Sequence, residues 1–271
     1  MRHADLVFNI KRTFAAMNKS ASTVNQAAPI KPLPNSSESK KEQVAGMFDR
    51  IARRYDFLNH FLSLGIDKAW RKKAIKSLAS QQPQTILDVA TGTGDLAIAA
   101  MALEPHKITG VDISEGMMNI GRKKIEALHL NHKIELQYGD SESLPFADSQ
   151  FDAITCGYGV RNFENLEKGL KEMYRVLRPG GQVAILEFSR PGKFPIKQLY
   201  RFYFRYILPA LGKTVSKDNT AYTYLHDSAN AFPDGKDFCA ILERCGFSQT
   251  HARPLSLGIT TLYSCSKKEL L

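Results

Sequence analysis

The sequence predicts an α/β protein in which a mostly parallel, doubly wound sheet carries helices on both faces. Between residues 85 and 188, short apolar segments with β-propensity alternate with segments of helical periodicity. That alternation is typical of parallel strands joined by crossover helices. Two further observations agree with it: a glycine turn follows the first strand, and acidic residues stand where later strands end. In such sheets, ligands bind at the carboxyl ends of the strands.

The first strand, turn and helix are predicted at residues 85–97, where an apolar segment runs through two glycines into helix formers. Gly92 and Gly94 have no Cβ, so a ligand can approach the backbone closely at the turn. The helix that follows directs its unpaired amide groups toward whatever lies above the turn. The segment is therefore predicted to bind a nucleotide cofactor.

Two cofactors suit this turn. Residues 92–97 satisfy the dinucleotide pattern G-x-G-x-x-G/A, and Asp112 follows where a ribose-binding acid belongs. The alternative is S-adenosylmethionine, with Asp88 near its cationic methionyl part and Asp112 on the ribose hydroxyls. An acid inside the strand suits a cation and would repel a pyrophosphate, and no Arg or Lys between Asp88 and Ala97 compensates. The charges therefore favour S-adenosylmethionine over NAD.

Later elements follow the same alternation. Strands are predicted at 108–112, 134–138, 151–156 and 182–188, helices at 94–103, after Ser114, at 164–177 and at 235–245, and a closing hairpin at 247–252 and 259–265. The strand ends place Asp88, Asp112, Asp140 and Gly157 at one edge of the sheet. We expect these residues to meet in one crevice.

Two regions lie outside the predicted core. Residues 1–40 are predicted to be a disordered leader, and 41–271 a single domain whose first helices, at 41–80, cover the sheet or close over the ligand. Residues 189–232 form an insertion with a helix near 193–208.

That inserted helix would carry a basic stripe of Lys197, Arg201 and Arg205 beside several aromatic side chains. Such a helix suits a membrane interface, or equally a core-packed helix with solvated basic residues.

Composition narrows the classes of function. The chain has 271 residues, 43% of them hydrophobic, and a formal net charge of +10, which fits an anionic membrane surface or a nucleic acid equally well. Its four cysteines form no C-x-x-C pair and its seven histidines show no metal-ligand spacing, so we expect no metal. No apolar run approaches the roughly 18 residues of a spanning helix. We therefore expect a protein that lies on a membrane if it meets one.

Five segments, in order along the chain, resemble the quinone-biosynthesis C-methyltransferases. They are FDRIARRYD at 48–56, DVATGTGD at 88–95, YGVRN at 158–162, MYRVLRPGG at 173–181 and LEFSRP at 186–191. The resemblance covers about residues 43–268 and is strongest to the demethylmenaquinone methyltransferase branch.

The resemblance implies a class I S-adenosylmethionine-dependent methyltransferase fold, with a seven-stranded sheet, N-terminal helices and a helical insertion after the fifth strand. The reaction would be methyl transfer to a ring carbon of a prenylated quinol, either demethylmenaquinol or, in ubiquinone biosynthesis, a polyprenyl-methoxybenzoquinol.

Site residues follow partly from the turn and partly from the resemblance. The turn predicts cofactor contacts at Asp88, Gly92 and Gly94, and the resemblance adds Thr93, Asp112, Asp140, Ser141 and Gly157. Some relatives have Ser at the position of Gly157, so only its backbone is expected to contribute. No metal is expected.

Three residues are hypothesised to act on the acceptor. Arg161 would hold the developing quinol oxyanion, or else pair with a nearby acid, and Asn162 would orient the ring. Tyr55 would close over the methyl donor and help relay the proton.

A nucleic-acid methyltransferase would share the cofactor turn, but adenine amino methylation usually shows an Asp/Asn-Pro-Pro-aromatic run after the fourth strand, where residues 156–159 are Cys-Gly-Tyr-Gly. We therefore expect no nucleic-acid partner. We expect a cytoplasmic protein in peripheral contact with the inner face of a membrane, and leave a homodimer open.

Overall fold

The described residues fold around one seven-stranded sheet. A computed structural model describes residues 30–63, 65–192, 194, 198 and 219–269. The strands are β1 (Thr85–Val89), β2 (Lys107–Asp112), β3 (Ile134–Tyr138), β4 (Phe151–Gly157), β5 (Leu177–Phe188), β6 (Ser248–Leu255) and β7 (Thr260–Ser266). Their order is β3-β2-β1-β4-β5-β7-β6. Strands β1 to β5 pair in parallel, whereas β7 is antiparallel to β5 and β6. The predicted sheet and closing hairpin are confirmed.

Helices cover both faces of this sheet. They are α1 (Lys40–Leu62), α2 (Ile66–Ser77), α3 (Asp95–Ala100), α4 (Glu115–Ala127), α5 (Leu166–Val176), α6 (Asn219–Ala231) and α7 (Lys236–Arg244). Successive strand residues point to opposite faces. Ile86 accordingly packs in one core cluster with α2, α3 and α4, while Leu87 packs in another with α5 and α7.

The strand order creates the site. Strand β1 lies between β2 and β4, so the connections that leave β1 and β4 turn to opposite faces of the sheet. The resulting crevice at their carboxyl ends is the usual ligand position in doubly wound sheets. Ser114 caps the helix that follows β2 by accepting a hydrogen bond from the Met117 amide.

Several predicted elements differ in their limits, and two of these differences are informative. The helix predicted at 94–103 ends as an α-helix at Ala100 and continues as a 3-10 turn. The strand predicted at 182–188 begins earlier, because Leu177 already pairs with Phe151 before the register shifts to Gln182. Residues 178–181 bulge out of the ladder, which hydrophobic patterning alone did not indicate.

The described part of the chain begins at residue 30, ahead of the predicted boundary between 40 and 41. Residues 30–39 are described, and the side chain of Lys40 is buried at the start of α1. The basic helix predicted at 193–208, with Lys197, Arg201 and Arg205, lies outside the described residues apart from 194 and 198.

Candidate active site

A crevice opens at the carboxyl ends of β1, β2 and β4 and holds about 660 Å³ of empty space, including its open mouth. Many of the predicted site residues line it, namely Tyr55, Gly92, Asp112, Asp140, Ser141, Gly157 and Asn162. The others, Asp88, Thr93, Gly94 and Arg161, are not part of its lining. The structure therefore brings most of the predicted residues together and places the rest one layer behind.

The glycine turn is shaped as its sequence requires. Gly92 and Gly94 have φ values of 55° and 77°, in the left-handed region that favours glycine. The Gly92 amide donates to Asp112 Oδ2 over 2.7 Å, and the Ser114 amide donates to Asp112 Oδ1 over 2.8 Å. Each carboxylate oxygen keeps a further lone pair for a donor in the crevice. Burial raises the pKa of Asp112, and the amide donors oppose that rise.

Asp88 lies beneath the turn. Its side chain is 1% exposed, and its two carboxylate oxygens accept from the hydroxyls of Thr91 and Thr155, each over 2.6 Å. Burial raises its pKa to about 6, while the two hydroxyl donors act in the opposite direction. Asp88 therefore ties the turn to β4, and its charge can act on the crevice only through the turn.

Helix α1 crosses the crevice and supplies Lys41, Val44, Phe48 and Tyr55 to its lining. The rings of Phe48 and Tyr55 meet edge to face, with 5.8 Å between centroids. This helix is thus a wall of the site, and it packs against α4 and α6.

Two acidic side chains hold α1 in place. Asp49 Oδ1 accepts from the Ser114 hydroxyl over 2.6 Å and from the Gly116 amide over 2.8 Å, at the beginning of α4. Asp56 Oδ1 accepts from the Thr93 hydroxyl over 2.5 Å. The side chain of Thr93 therefore faces α1, although its backbone belongs to the glycine turn.

Asp140 and Ser141 follow β3 at another side of the crevice. One oxygen of Asp140 contacts Lys41 Nζ, and the other accepts from the Glu142 amide over 3.0 Å. The hydrogen bond to Asp140 raises the pKa of Lys41. A carboxylate and a hydroxyl at this end provide acceptors for an amino donor.

The wall after β4 approaches the turn after β1 closely. Tyr158 and Ala90 both line the crevice and have positive φ values, 60° and 54°. A Cβ at Gly159 would lie 2.5 Å from Ala90 Cβ, so this position requires glycine. Backbone strain of this kind concentrates at binding sites.

Arg161 forms a buried ion pair directly behind this wall. Its Nη1 donates to Glu187 Oε1 over 2.7 Å, and both side chains are at most 5% exposed. Its guanidinium carbon also lies 5.4 Å from the centre of the Phe188 ring. Nε of Arg161 is buried and has no hydrogen-bond partner among the residues that the structure describes. The predicted cation thus has a carboxylate partner and keeps one donor unused.

Asn162 is oriented by two contacts. Its amide nitrogen donates to the Tyr158 carbonyl over 3.3 Å, and its amide oxygen accepts from the Tyr224 hydroxyl over 3.1 Å. Burial raises the pKa of Tyr224, so its hydroxyl stays protonated. Helix α6 therefore helps to position a residue of the crevice.

Lys40 joins α1 to the Arg161 turn. Its Nζ donates to the carbonyls of Arg161 and Phe163 over 3.0 and 2.7 Å. Burial, together with the positive charge of Arg161, lowers its pKa to about 8. The amine acts as a structural donor that holds the loop after β4.

The lining suits S-adenosylmethionine. The half-buried Asp112 offers lone pairs to vicinal hydroxyls, and Asp140 offers them to an amino group. A pyrophosphate would meet acids, with no cationic side chain in the turn at 88–97.

Among the described residues no group of His, Cys, Asp and Glu is arranged for a metal ion. No helix in that part of the chain is long and apolar enough to cross a membrane.

Sequence reasoning missed four residues that shape the site: Lys40, Asp49, Asp56 and Glu187. Two of these, Asp49 and Asp56, belong to the FDRIARRYD segment, and Glu187 belongs to LEFSRP. The signal available in the sequence was that Asp49 and Asp56 lie on a predicted helix that could face the glycine turn. The partners of these side chains lie up to 123 residues away along the chain, so no local pattern identifies them.

The sheet order and the crevice define the class I methyltransferase fold. A solved S-adenosylmethionine-dependent methyltransferase from Thermotoga maritima superposes with a TM-score of 0.59 at 19% identity, covering 83% of this chain and 99% of that one. At that identity, the likeness concerns the fold.

The chain belongs to the ubiE/COQ5 methyltransferase family, which it matches over residues 36–267. It is 53% identical to a Bacteroides fragilis protein named demethylmenaquinone methyltransferase, over 88% of this chain and 97% of that protein. It is 47% identical to the Geotalea daltonii protein named ubiquinone/menaquinone biosynthesis C-methyltransferase UbiE, over 84% and 97%. The predicted family is confirmed, and the NAD alternative is set aside.

Proposed function

We propose that the protein transfers a methyl group from S-adenosylmethionine to a ring carbon of demethylmenaquinol, giving menaquinol. The buried Arg161 guanidinium carries this proposal. Its Nε has no hydrogen-bond partner among the described residues, and Gly159 and Asn162 on either side of it line a crevice shaped for the methyl donor. The name of the Bacteroides fragilis relative supports the same acceptor.

The residues of the crevice divide between cofactor and acceptor. Asp112 takes the ribose hydroxyls, Asp140 and Ser141 take the adenine side, and the backbone at Gly92 and Gly157 allows close approach. Asp88, Thr93 and Gly94 shape the turn from behind, and Asp88 adds negative charge near the methionyl part.

The cofactor supplies an electrophilic methyl group on a sulfonium. A quinol ring carbon attacks it readily only when the neighbouring hydroxyl gives up its proton, and a phenol-like pKa is about 10. A fixed cation at short range lowers such a pKa by about 1–3 units. We assign that task to Arg161, whose Nε–H donates to the quinol oxygen as negative charge develops there.

Glu187 positions this cation. Its carboxylate holds Nη1 of Arg161 and so fixes the plane of the guanidinium. Asn162, held by Tyr224, orients the ring from the crevice side, and Tyr55 closes over the reacting atoms and relays the proton. Alignment of this kind can contribute up to roughly 7–11 kcal/mol of rate enhancement.

A second acceptor is favoured by one observation. The Geotalea daltonii relative is named for both ubiquinone and menaquinone biosynthesis. C-methylation of a polyprenyl-methoxybenzoquinol would use the same residues, because both acceptors present a ring carbon beside a hydroxyl.

Either acceptor is prenylated and resides in a bilayer, so we propose that the protein works in peripheral contact with the inner, cytoplasmic face of the membrane. A homodimer stays a prediction.

The test is a methyl-transfer assay with the purified chain, labelled S-adenosylmethionine and chemically reduced demethylmenaquinone. We expect label in the quinol, and we expect Arg161→Ala to lower turnover by roughly 10²-fold or more. Cofactor binding by calorimetry should survive, because Arg161 does not line the cofactor crevice.

Arg178→Ala is the matched control, since Arg178 is an exposed arginine that pairs with Asp152 near the opposite edge of the sheet. Absence of label from the quinol contradicts the proposed reaction. Unchanged turnover in Arg161→Ala removes this residue from the mechanism.

A further inference from the structure

We infer that one side of α2, together with the β6–β7 turn, is the surface by which the protein docks on an anionic lipid bilayer. This docking face consists of Ile66, Lys68, Lys72, Lys73, Lys76 and Leu257. The docking face would deliver a prenylated acceptor to the site, and only this purpose depends on the proposed function.

The lysines of the docking face share one side of α2. The opposite side of the helix is buried through Trp70, Ala74 and Leu78, which immediately follows it. Residues four apart lie on the same side of a helix, so Lys68, Lys72 and Lys76 form a row, with Lys73 beside it. All four lysines are exposed, and none forms an ion pair with a residue in the described part of the chain.

Apolar side chains stand at the end of this row. Ile66, at the start of α2, is 45% exposed, and Leu257, in the β6–β7 turn, is 75% exposed. Leu257 also has a φ of 60°, a left-handed conformation that costs a non-glycine residue roughly 1–2 kcal/mol. Burial of the leucine in the folded chain does not account for that conformation.

Helix α2 and the turn form one continuous surface. Trp70 Nε1 donates to Ser256 Oγ over 2.8 Å, which fixes the turn against the helix. Ile66 lies four residues before Trp70 and seven before Lys73, so it stands at the border between the turn side of α2 and the lysine side. Ser189 Oγ donates to the Gly258 carbonyl over 2.9 Å, so the turn also contacts the segment that follows β5.

The turn and the start of α2 lie at the same edge of the sheet as the crevice. Phe188, the last residue of β5, pairs with Thr260, so the turn before β7 projects from the carboxyl end of β5. Trp70 is 6.4 Å from the Tyr158 ring, and Tyr158 is 4.6 Å from Phe188, measured between ring centroids. These aromatic rings form an apolar path from the wall beside Arg161 to the surface.

The chemistry of the docking face selects its partner. A row of lysines attracts anionic headgroups, and exposed Ile and Leu beside it can enter the acyl boundary. A nucleic acid would use the lysines but gives no role to a strained, exposed leucine. The net charge of +10 adds general attraction to an anionic surface.

The experiment measures binding of the full chain to phosphatidylglycerol/phosphatidylcholine vesicles by co-sedimentation. We expect the combined variant Lys68→Gln, Lys72→Gln and Lys76→Gln to bind at least roughly tenfold more weakly, because each lysine near the surface contributes about a factor of five. Leu257→Asn should also weaken binding, since Asn keeps the left-handed backbone and lacks the apolar side chain.

The matched control is Lys123→Gln, Lys168→Gln and Lys171→Gln, three exposed lysines on α4 and α5. Equal loss in the control, or none in the first variant, overturns the inference. Lysine-dependent binding to single-stranded RNA that exceeds vesicle binding also overturns it, in favour of a nucleic-acid partner.

A methyl-transfer assay with a short-tailed, water-soluble quinol separates this inference from the proposed function. The lysine variant should retain its turnover there and lose it with a long-tailed quinol in vesicles. If neither the wild-type protein nor any variant methylates either quinol, the proposed reaction is contradicted. The vesicle-binding measurement would still test the docking face in that case.

Discussion

At the scale of single residues, the site depends on acids with different tasks. The carboxylate of Asp112 lines the crevice, whereas both carboxylate oxygens of Asp88 accept hydrogen bonds from threonine hydroxyls. Both stand at strand ends, and the sequence predicted a direct contact for each. An acid whose oxygens accept from neighbouring hydroxyls is not available to a ligand. The sequence could not show this for Asp88, because its partner Thr155 lies 67 residues away in the chain.

The ionisation of Asp88 gives a pH prediction. Burial raises its pKa to about 6, so the carboxylate is charged above that value and protonated below it. Affinity for the cationic cofactor should therefore weaken as pH falls from about 7.5 to about 5.5. An attraction on the order of 1 kcal/mol corresponds to roughly fivefold.

Calorimetric titration at both pH values tests this effect, with Asp88→Asn as the comparison. The variant keeps an oxygen acceptor but has no carboxylate to titrate, so its affinity should change little over that range. An equal pH dependence in wild type and variant would show that another group is responsible.

At the scale of elements, α1 connects parts of the chain that are distant in sequence. Asp49 contacts the beginning of α4 and Asp56 contacts the glycine turn. The two helices approach so closely that a Cβ at Gly116 would lie 2.8 Å from Asp49 Oδ1 and 3.2 Å from Asp49 Cα. The glycine at this position is therefore a requirement of the helix contact.

We predict that Gly116→Ala displaces α1 and weakens cofactor binding by roughly tenfold, because overpacking of a close contact costs about 1–3 kcal/mol. Gly46→Ala is the matched control. A Cβ there meets only Arg50 Nη1 at an ordinary 3.7 Å, and alanine favours a helix interior. Cofactor affinity by calorimetry and thermal unfolding should be measured for both variants. Wild-type affinity in Gly116→Ala would mean that the position of α1 is unimportant for binding.

Periodicity predicted most elements, because burial of one face leaves a local trace in the sequence. It placed β1 correctly and located the hairpin of β6 and β7. It missed the extra residues at 178–181, where Gly181 is packed so that a Cβ would lie 2.7 Å from a Leu177 methyl carbon. The sequence analysis named a nearby acid as an alternative partner of Arg161. It could not identify Glu187 as that acid, because the ion pair depends on the pairing between β4 and β5.

At the scale of the whole molecule, the crevice joins the loops after several strands with α1. A ligand bound there contacts the loops that leave β1 and β4 toward opposite faces of the sheet. Its binding energy should therefore stabilise the fold as one unit. The sequence predicted this convergence from the acids at strand ends. The role of α1 as a wall needed the three-dimensional arrangement.

We predict that S-adenosylmethionine at about a hundred times its dissociation constant raises the stability by about 2.7 kcal/mol. For a chain of this size the midpoint of thermal unfolding should rise by roughly 5–10 °C. Differential scanning calorimetry measures it, with NAD at the same concentration as the control. A comparable rise with NAD would contradict the preference for the methyl donor.

Lys40 has a practical consequence for anyone who shortens this protein. Its amine donates hydrogen bonds to two peptide oxygens of the loop that carries Arg161. Trimming at a boundary suggested by composition, just after residue 40, would cut away that anchor and loosen a loop more than a hundred positions downstream. A shortened version should therefore begin well before Lys40, so that its hydrogen bonds to the loop of Arg161 are kept.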